Sequence, residues 1–185
     1  ALNVPSRLGI DGCYVLVTLH RPSNVDDAAQ LRVVLDGLSL AARRSTIVLP
    51  LHPRTRDRIR AFGLEEALGH FRVLEPLGYS EMLSLMDGAT AVLTDSGGVQ
   101  EETTVLGVPC VTLRETTERP VTVTEGTNRM APWPLTAGGI DRACADAEQA
   151  GRRAVGERAP EGWDGRAAER IVAALSRAVV RTHAE

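Results

Sequence analysis

Lysine is absent from the 185 residues; all 21 basic side chains are arginine. We read this as a composition bias rather than a DNA-binding stripe, because a net charge of -3 leaves no positive field to hold a polyanion. Aromatics are scarce at 3%, so a core must be built from Ala, Val, Leu and Ile, and an apolar fraction of 43% supplies one. Cys13, Cys110 and Cys144 are an odd number at wide spacing, which gives neither a disulfide framework nor a metal pattern. Cys13 and Cys110 stand in apolar runs and are expected as small core residues. No apolar run approaches the roughly 20 residues that span a bilayer, and no charged-then-apolar leader opens the chain. The expectation is a soluble protein of a reducing cytoplasm, long enough for one domain and short for two.

What is present is a regular alternation. Runs rich in β-branched residues predict strands over 14–20, 46–52, 71–77, 90–95 and 110–114. Apolar residues at helical spacing predict helices over 26–44, 55–62, 80–88 and 98–107 between them. Asp26 or Asp27 is a candidate cap of the first, and Gly63, Gly88 and Gly107 are candidate stops. Further on, 128–135 can hold only an edge strand because of its prolines; 140–154 reads as a helix and 158–165 as a loop. Residues 164–183 form a long amphipathic pattern with Asp164 as its candidate N-cap. The implied fold is α/β, a Rossmann-like parallel sheet with helices on both faces, forming a single domain over 1–185. Ligands of such sheets sit beyond the carboxyl ends of the strands, so residues just after strands are the functional candidates.

The sharpest of these is "TDSGGVQEE", residues 94–102. A helix start exposes unpaired N–H groups, and Ser96, Gly97 and Gly98 would let an anion approach them closely. A plain cap by Ser96 or Asp95 around a tight turn reads equally well. Glu102 tips the balance. It lies more than a turn along the helix on another azimuth, where a carboxylate can accept from both hydroxyls of a ribose. Glu101 reads as a solvated charge. His20 and Arg21 in "TLHRPSN" follow the first strand, and His52 in "LHPRTR" follows the second. His20 could donate to a phosphate or sugar hydroxyl, or cap a loop; Arg21 could support charge in the cleft, or be solvated; His52 could repeat the arrangement of His20, or be incidental to a helix that Pro53 starts. In "RETTERP", residues 114–120, Arg119 could sit beside the glycine turn with Glu118 orienting it, or the segment could be a loop of mutually paired ions. Trp133 and Trp163 are expected to pack, with a place near a domain seam as the alternative.

Together, "TLHRPSNVDD", "LPLHPRT", "LTDSGGVQEE", "LGVPCVTLRETTERP" and "EGTNR" resemble the carboxyl-terminal half of the non-hydrolysing UDP-N-acetylglucosamine 2-epimerases, over nearly the whole chain. The resemblance implies the second, UDP-binding domain of a two-domain GT-B-type fold. It implies interconversion of UDP-GlcNAc and UDP-ManNAc by elimination and re-addition of UDP, in the service of cell-envelope polysaccharide synthesis and without metal or redox cofactor. By position, Ser96, Gly97 and Gly98 would hold the diphosphate and Glu102 the ribose. His20 and Arg119 would face the diphosphate and the departing group, and Tyr79 and Met82 would bound the uracil. In some bacterial members a second UDP-GlcNAc binds near the position of His52; "HRPSN", which contains Arg21, differs from the "HRRE" of those members.

The acid and base carboxylates of that family lie in a first domain, which this length does not include. The resemblance therefore implies half an enzyme: UDP binding without turnover by the chain alone, and self-association through the apolar face of the last helix. A UDP-sugar glycosyltransferase half and a stand-alone UDP-sugar-binding module are the alternatives.

Overall fold

Strand β1, Tyr14–Thr18, lies at the centre of the domain, with all five residues poor in solvent contact and alternate side chains serving opposite faces. In the computed structural model, which describes residues 3–154 and 160–182, β1 is flanked by β2 (Thr46–Pro50) and β4 (Ala91–Thr94). Beyond them lie β3 (Arg72–Leu74) on one side, then β5 (Cys110–Thr112) and the edge strand β6 (Asn128–Met130) on the other. Among the described residues the sheet order is β3-β2-β1-β4-β5-β6 and every pair is parallel. The chain steps outwards one way from β1, then returns past it to β4. The gap between the carboxyl ends of β1 and β4 is therefore the switch point at which such sheets bind ligands.

The helices are α1 (Val4–Arg7), α2 (Pro22–Val25), α3 (Ala28–Ala41), α4 (Pro53–Ala61), α5 (Tyr79–Gly88), α6 (Gly97–Leu106), α7 (Pro120–Thr124), α8 (Ala137–Ala150) and α9 (Ala167–Thr182), with a 3₁₀ turn over Glu65–His70. Two cores result. Val15, Val17, Ile47, Leu49 and Leu93 pack under α3 and α8, with Leu31, Leu35 and Leu38 of α3 almost fully buried. Burying each of those leucines is worth about 1.5–3 kcal/mol. Tyr14, Leu16, Val48 and Val92 form the other face under α5. Gly37 makes the first core possible: a Cβ there would lie 2.8 Å from Ile140 Cβ, so α3 and α8 touch at a bare backbone.

The predicted strands are present, each ending short of its apolar run, so His20 and His52 stand past the ladder. Four short pieces, α1, α2, α7 and the 3₁₀ turn, go beyond the expectation. Residues 158–159 of the expected loop and residue 183 of the expected last helix lie outside the described residues. Asp27 is the cap of α3, accepting from Gln30 N at 2.8 Å. Asp164 accepts from Arg166 N at 3.0 Å just before α9.

Two expectations for packing fail. Cys13 is exposed because it precedes β1, just after Gly12 at φ +78° turns the chain into the sheet. Cys110 and Cys144 are buried, and burial pushes both thiols up to about 12. Trp133 is 41% exposed, in the segment that follows the edge strand. Along α9, Ile171, Val172 and Leu175 are open to solvent. No helix among the described residues is long and apolar enough to cross a membrane.

Candidate functional site

The register Thr18↔Thr94 aligns the ends of β1 and β4, and the two hydroxyls meet at 2.6 Å. The next residues on each strand are thereby brought together across the switch point. Asp95, fully buried, accepts from His20 N at 3.1 and 3.2 Å, Arg21 N at 3.0 Å and Asn24 Nδ2 at 3.2 Å. His20 Nδ1 lies 3.0 Å from its Oδ1. Asn24 also donates to Leu113 O at 2.8 Å, which ties the turn to the segment after β5. A buried carboxylate is costly unless paired, and this one is saturated with donors. Sequence reasoning had weighed Asp95 only as a cap; its position directly after a central strand was the available signal.

Helix α6, unlike α3, α4 and α8, begins without a side-chain cap. Its N-cap, Ser96, makes no side-chain cap bond, and the first turn holds no acid. The Ser96 amide donates to Thr94 Oγ1 at 3.0 Å, and the amides that follow it are left for an external acceptor. A Cβ on Gly98 would meet only Ser96 Oγ, at 4.0 Å, and one on Gly97 only Glu118 Oε2, at 3.9 Å. Packing within the chain therefore gives no reason for two glycines, whereas a ligand lying on the backbone does.

Glu102 is half-buried in a cleft of about 430 Å³ between α5 and α6, lined also by Tyr79, Leu83, Val105 and Trp163. Burial pushes its carboxyl above the usual range, the Tyr79 hydroxyl opposes that by hydrogen bonding, and Glu101 adds repulsion. Trp163 is thus a wall of this cleft rather than a core residue. Tyr79 and Met82 do not share a cavity: Met82 lines a separate cleft of about 170 Å³ with His20, His52 and Leu77. The rings of His20 and His52 are 5.6 Å apart. His52 caps α4, its Nδ1 accepting from Arg54 N at 3.2 Å.

The 114–120 segment carries a different pairing from the expected one. The Glu118 carboxylate does not orient Arg119, which meets Glu118 only at its main-chain oxygen, donating from Nη1 at 3.1 Å; the carboxylate binds Arg114 at 2.6 and 2.8 Å, which drops it to about 2. Arg119 Nε lies instead 2.7 Å from Glu101, so Glu101 is an ion-pair partner and not a free surface charge. The reason is reach: Arg114 and Glu118 are four residues apart across a turn, and α7 starts directly after Arg119 and turns it towards α6. Thr117 and Asn128 both donate to the buried Gln100 Oε1, and Asn128 accepts from Thr112, so a polar network ties this segment to α6 and the sheet. Neither Gln100 nor Asn128 was singled out from sequence. Among the described residues, no group of three His, Cys, Asp or Glu side chains could hold a metal ion.

Fold and edge define the class: a Rossmann-like α/β domain, one half of a GT-B architecture, with its candidate site at the switch point. A family profile described as UDP-N-acetylglucosamine 2-epimerase matches residues 4–176, and the chain belongs to that family. It is 44% identical over 124 residues to the UDP-N-acetylglucosamine 2-epimerase of Methanocaldococcus jannaschii, an alignment covering 64% of this chain and 34% of the relative. It is 42% identical over 125 residues to the UDP-2,3-diacetamido-2,3-dideoxy-D-glucuronate 2-epimerase of Pseudomonas aeruginosa, covering 67% of this chain and 34% of the relative. The solved M. jannaschii UDP-GlcNAc 2-epimerase in complex with UDP-GlcNAc and UDP superposes with a TM-score of 0.79 at 35% identity, over 95% of this chain and 48% of that one. The chain therefore spans about half the length of that structure.

Proposed function

We propose that this chain is the UDP-binding half of a sugar-nucleotide 2-epimerase. The observation that carries the reading is the start of α6, where uncapped amides and two glycines without a packing role stand one and a half turns from the half-buried Glu102. The Ser96 hydroxyl and the Gly97 and Gly98 amides hold the diphosphate, while the Ser96 amide stays on Thr94 Oγ1, and Glu102 accepts from the ribose hydroxyls. The uracil lies over the start of α5, between the cleft that Tyr79 lines and the separate cleft that Met82 lines, with one of these residues on each side. His20 faces the diphosphate at the switch point, with Arg21 and His52 on the same edge.

In the proposed reaction a base removes the proton at C2 of the sugar. The C1–O bond breaks, its electron pair leaves on the β-phosphate oxygen, and a C1=C2 double bond forms. UDP then adds back at C1 while a proton reaches the other face of C2, taking UDP-GlcNAc to UDP-ManNAc. This chain's part is to hold the departing diphosphate, with the base supplied by a first domain in the remainder of a full-length enzyme. UDP is common to the names of both relatives above, so the nucleotide is the firmer element and a UDP-2,3-diacetamido uronate is the second reading for the sugar. The exposed apolar face of α9 is proposed to be covered by that domain or, in the chain alone, by a second copy. The protein is proposed to work in the cytoplasm, in cell-envelope polysaccharide synthesis.

Titration of UDP, UMP and uridine into the chain, followed at the Ser96, Gly97 and Gly98 amides, tests the binding reading. Large shifts with UDP, smaller ones with UMP and none at those amides with uridine are expected. Equal responses to all three would overturn the diphosphate assignment. Product analysis with the full-length enzyme separates the two sugars, and sedimentation tests self-association.

A further inference from the structure

We propose that Asp95 is a positioning residue that fixes the His20 imidazole in its Nδ1–H form, leaving Nε2 to face the ligand. The tautomer assignment stands on the geometry alone, and its consequence for a diphosphate rests on the UDP-binding reading.

Asp95 sits at the first position after β4 and is fully buried. Three of its neighbours, His20 N, Arg21 N and Asn24 Nδ2, can only donate, and between them they engage both carboxylate oxygens. Oδ1 is therefore an acceptor, and His20 Nδ1 lies 3.0 Å from it. Two acceptors at that distance would repel, so Nδ1 carries the hydrogen. The other ring nitrogen, across Cε1, makes no hydrogen bond among the described residues, and the ring lines the cleft with His52 and Met82. In the neutral ring, Nε2 then bears the lone pair; in the protonated ring it is a second donor, with its charge balanced by the buried carboxylate behind it. This is the division of labour by which a carboxylate sets one histidine nitrogen so that the other can do chemistry.

His52 supplies the contrast within the same cleft. Its Nδ1 accepts from Arg54 N at 3.2 Å, so a neutral His52 must carry its hydrogen on Nε2. Two imidazoles 5.6 Å apart are thus set in opposite forms, one by a buried carboxylate and the other by a backbone amide. His52 serves the start of α4, whereas His20 serves the switch point. If Asp95 were only a staple for the turn, its backbone and Asn24 contacts would suffice. The ring contact at Nδ1 is what a staple does not need.

The test is the long-range ¹H–¹⁵N spectrum of the histidine rings in the 185-residue chain. The expected result is Nδ1–H for His20 and Nε2–H for His52. An Nε2–H ring at His20 in the wild type overturns the proposal, whatever any variant does. Asp95→Asn places an amide behind the ring that can donate to Nδ1, so the His20 tautomer should switch while His52 keeps its own. UDP affinity should then fall by roughly tenfold. A switched tautomer with unchanged UDP affinity would overturn the positioning role. If Asp95→Asn fails to fold, the wild-type spectrum decides alone. A wild type that binds no uridine nucleotide yet shows Nδ1–H at His20 sinks the UDP reading and leaves the tautomer assignment supported.

Discussion

Helices α3 and α6 begin on the same edge of the sheet and are closed in opposite ways. At α3, Asp27 accepts from the third amide of the helix and ends its demand for partners. At α6 the corresponding Ser96 closes nothing, and the residues that follow are glycines with open space above them. A cap is worth about 1 kcal/mol, so leaving one off a central helix is a measurable cost to the fold. The difference teaches where stability has been given up: α3 is anchored for the core, and α6 is left unfinished for a partner from outside the chain.

The strongest way to break this comparison is to finish α6 from within. Gly98→Asp puts a carboxylate where the diphosphate is proposed to lie. UDP binding should weaken by about a hundredfold, roughly 3 kcal/mol by calorimetry, with thermal stability held or slightly raised by the acid at the helix start. Unchanged UDP affinity would mean that the open start of α6 serves nothing in binding. Glu102→Gln comes next, with an expected loss of about tenfold for UDP as one charge-assisted contact is removed. Glu102 also carries a pH signature. Because burial raises its carboxyl, the protonated folded form is favoured: its contribution is fully present below the usual carboxylate range and is lost as pH rises through the raised value. Glu102→Gln should flatten that part of the stability–pH curve. In the wild type, UDP affinity should fall as pH drops through the same value.

Asp27→Ala is the mirror experiment on α3. It should cost about 1 kcal/mol in denaturant unfolding and leave UDP affinity unaltered. A loss of UDP binding there would erase the distinction between the two starts. The smallest effect belongs to Glu118, the acid beside Gly97. Glu118→Gln removes a negative charge near the proposed diphosphate and frees Arg114, so UDP affinity should rise by about twofold at low salt and by less at high salt. Its carboxyl is held down to about 2 by Arg114, so the wild-type pair contributes above the usual carboxylate range and is lost as pH falls towards that value. The stabilities of the two proteins should therefore differ above the carboxylate range and converge at the acidic end.

The alternation of strands and helices was legible because buried parallel strands are continuous apolar runs, and the edge position of β6 followed from its prolines. The short helices α2 and α7 were not read, although each opens with a proline, Pro22 and Pro120, suited to a first helical turn. They are too brief for periodicity to register. The residues after the strands were legible as a set, while their pairings were not. Asp95 meets His20 across 75 positions of chain, through a register that no local pattern encodes. Arg114 takes Glu118 and leaves Arg119 to Glu101 for the same reason: which ions meet depends on how the loop folds back on α6. Cys13 was misread because an apolar neighbourhood in sequence does not show on which side of the first ladder residue burial begins.

That misplaced thiol has a practical use. Cys13 lies at the amino end of β1, seven residues before His20, or about 23 Å of extended chain. The other two cysteines are sealed in the interior with their thiols pushed up to about 12. A maleimide dye at neutral pH should therefore attach at one address, on the rim opposite the switch point. From there it can report tumbling, pairing with another copy or docking of a companion domain without crowding the edge where nucleotide is proposed to bind.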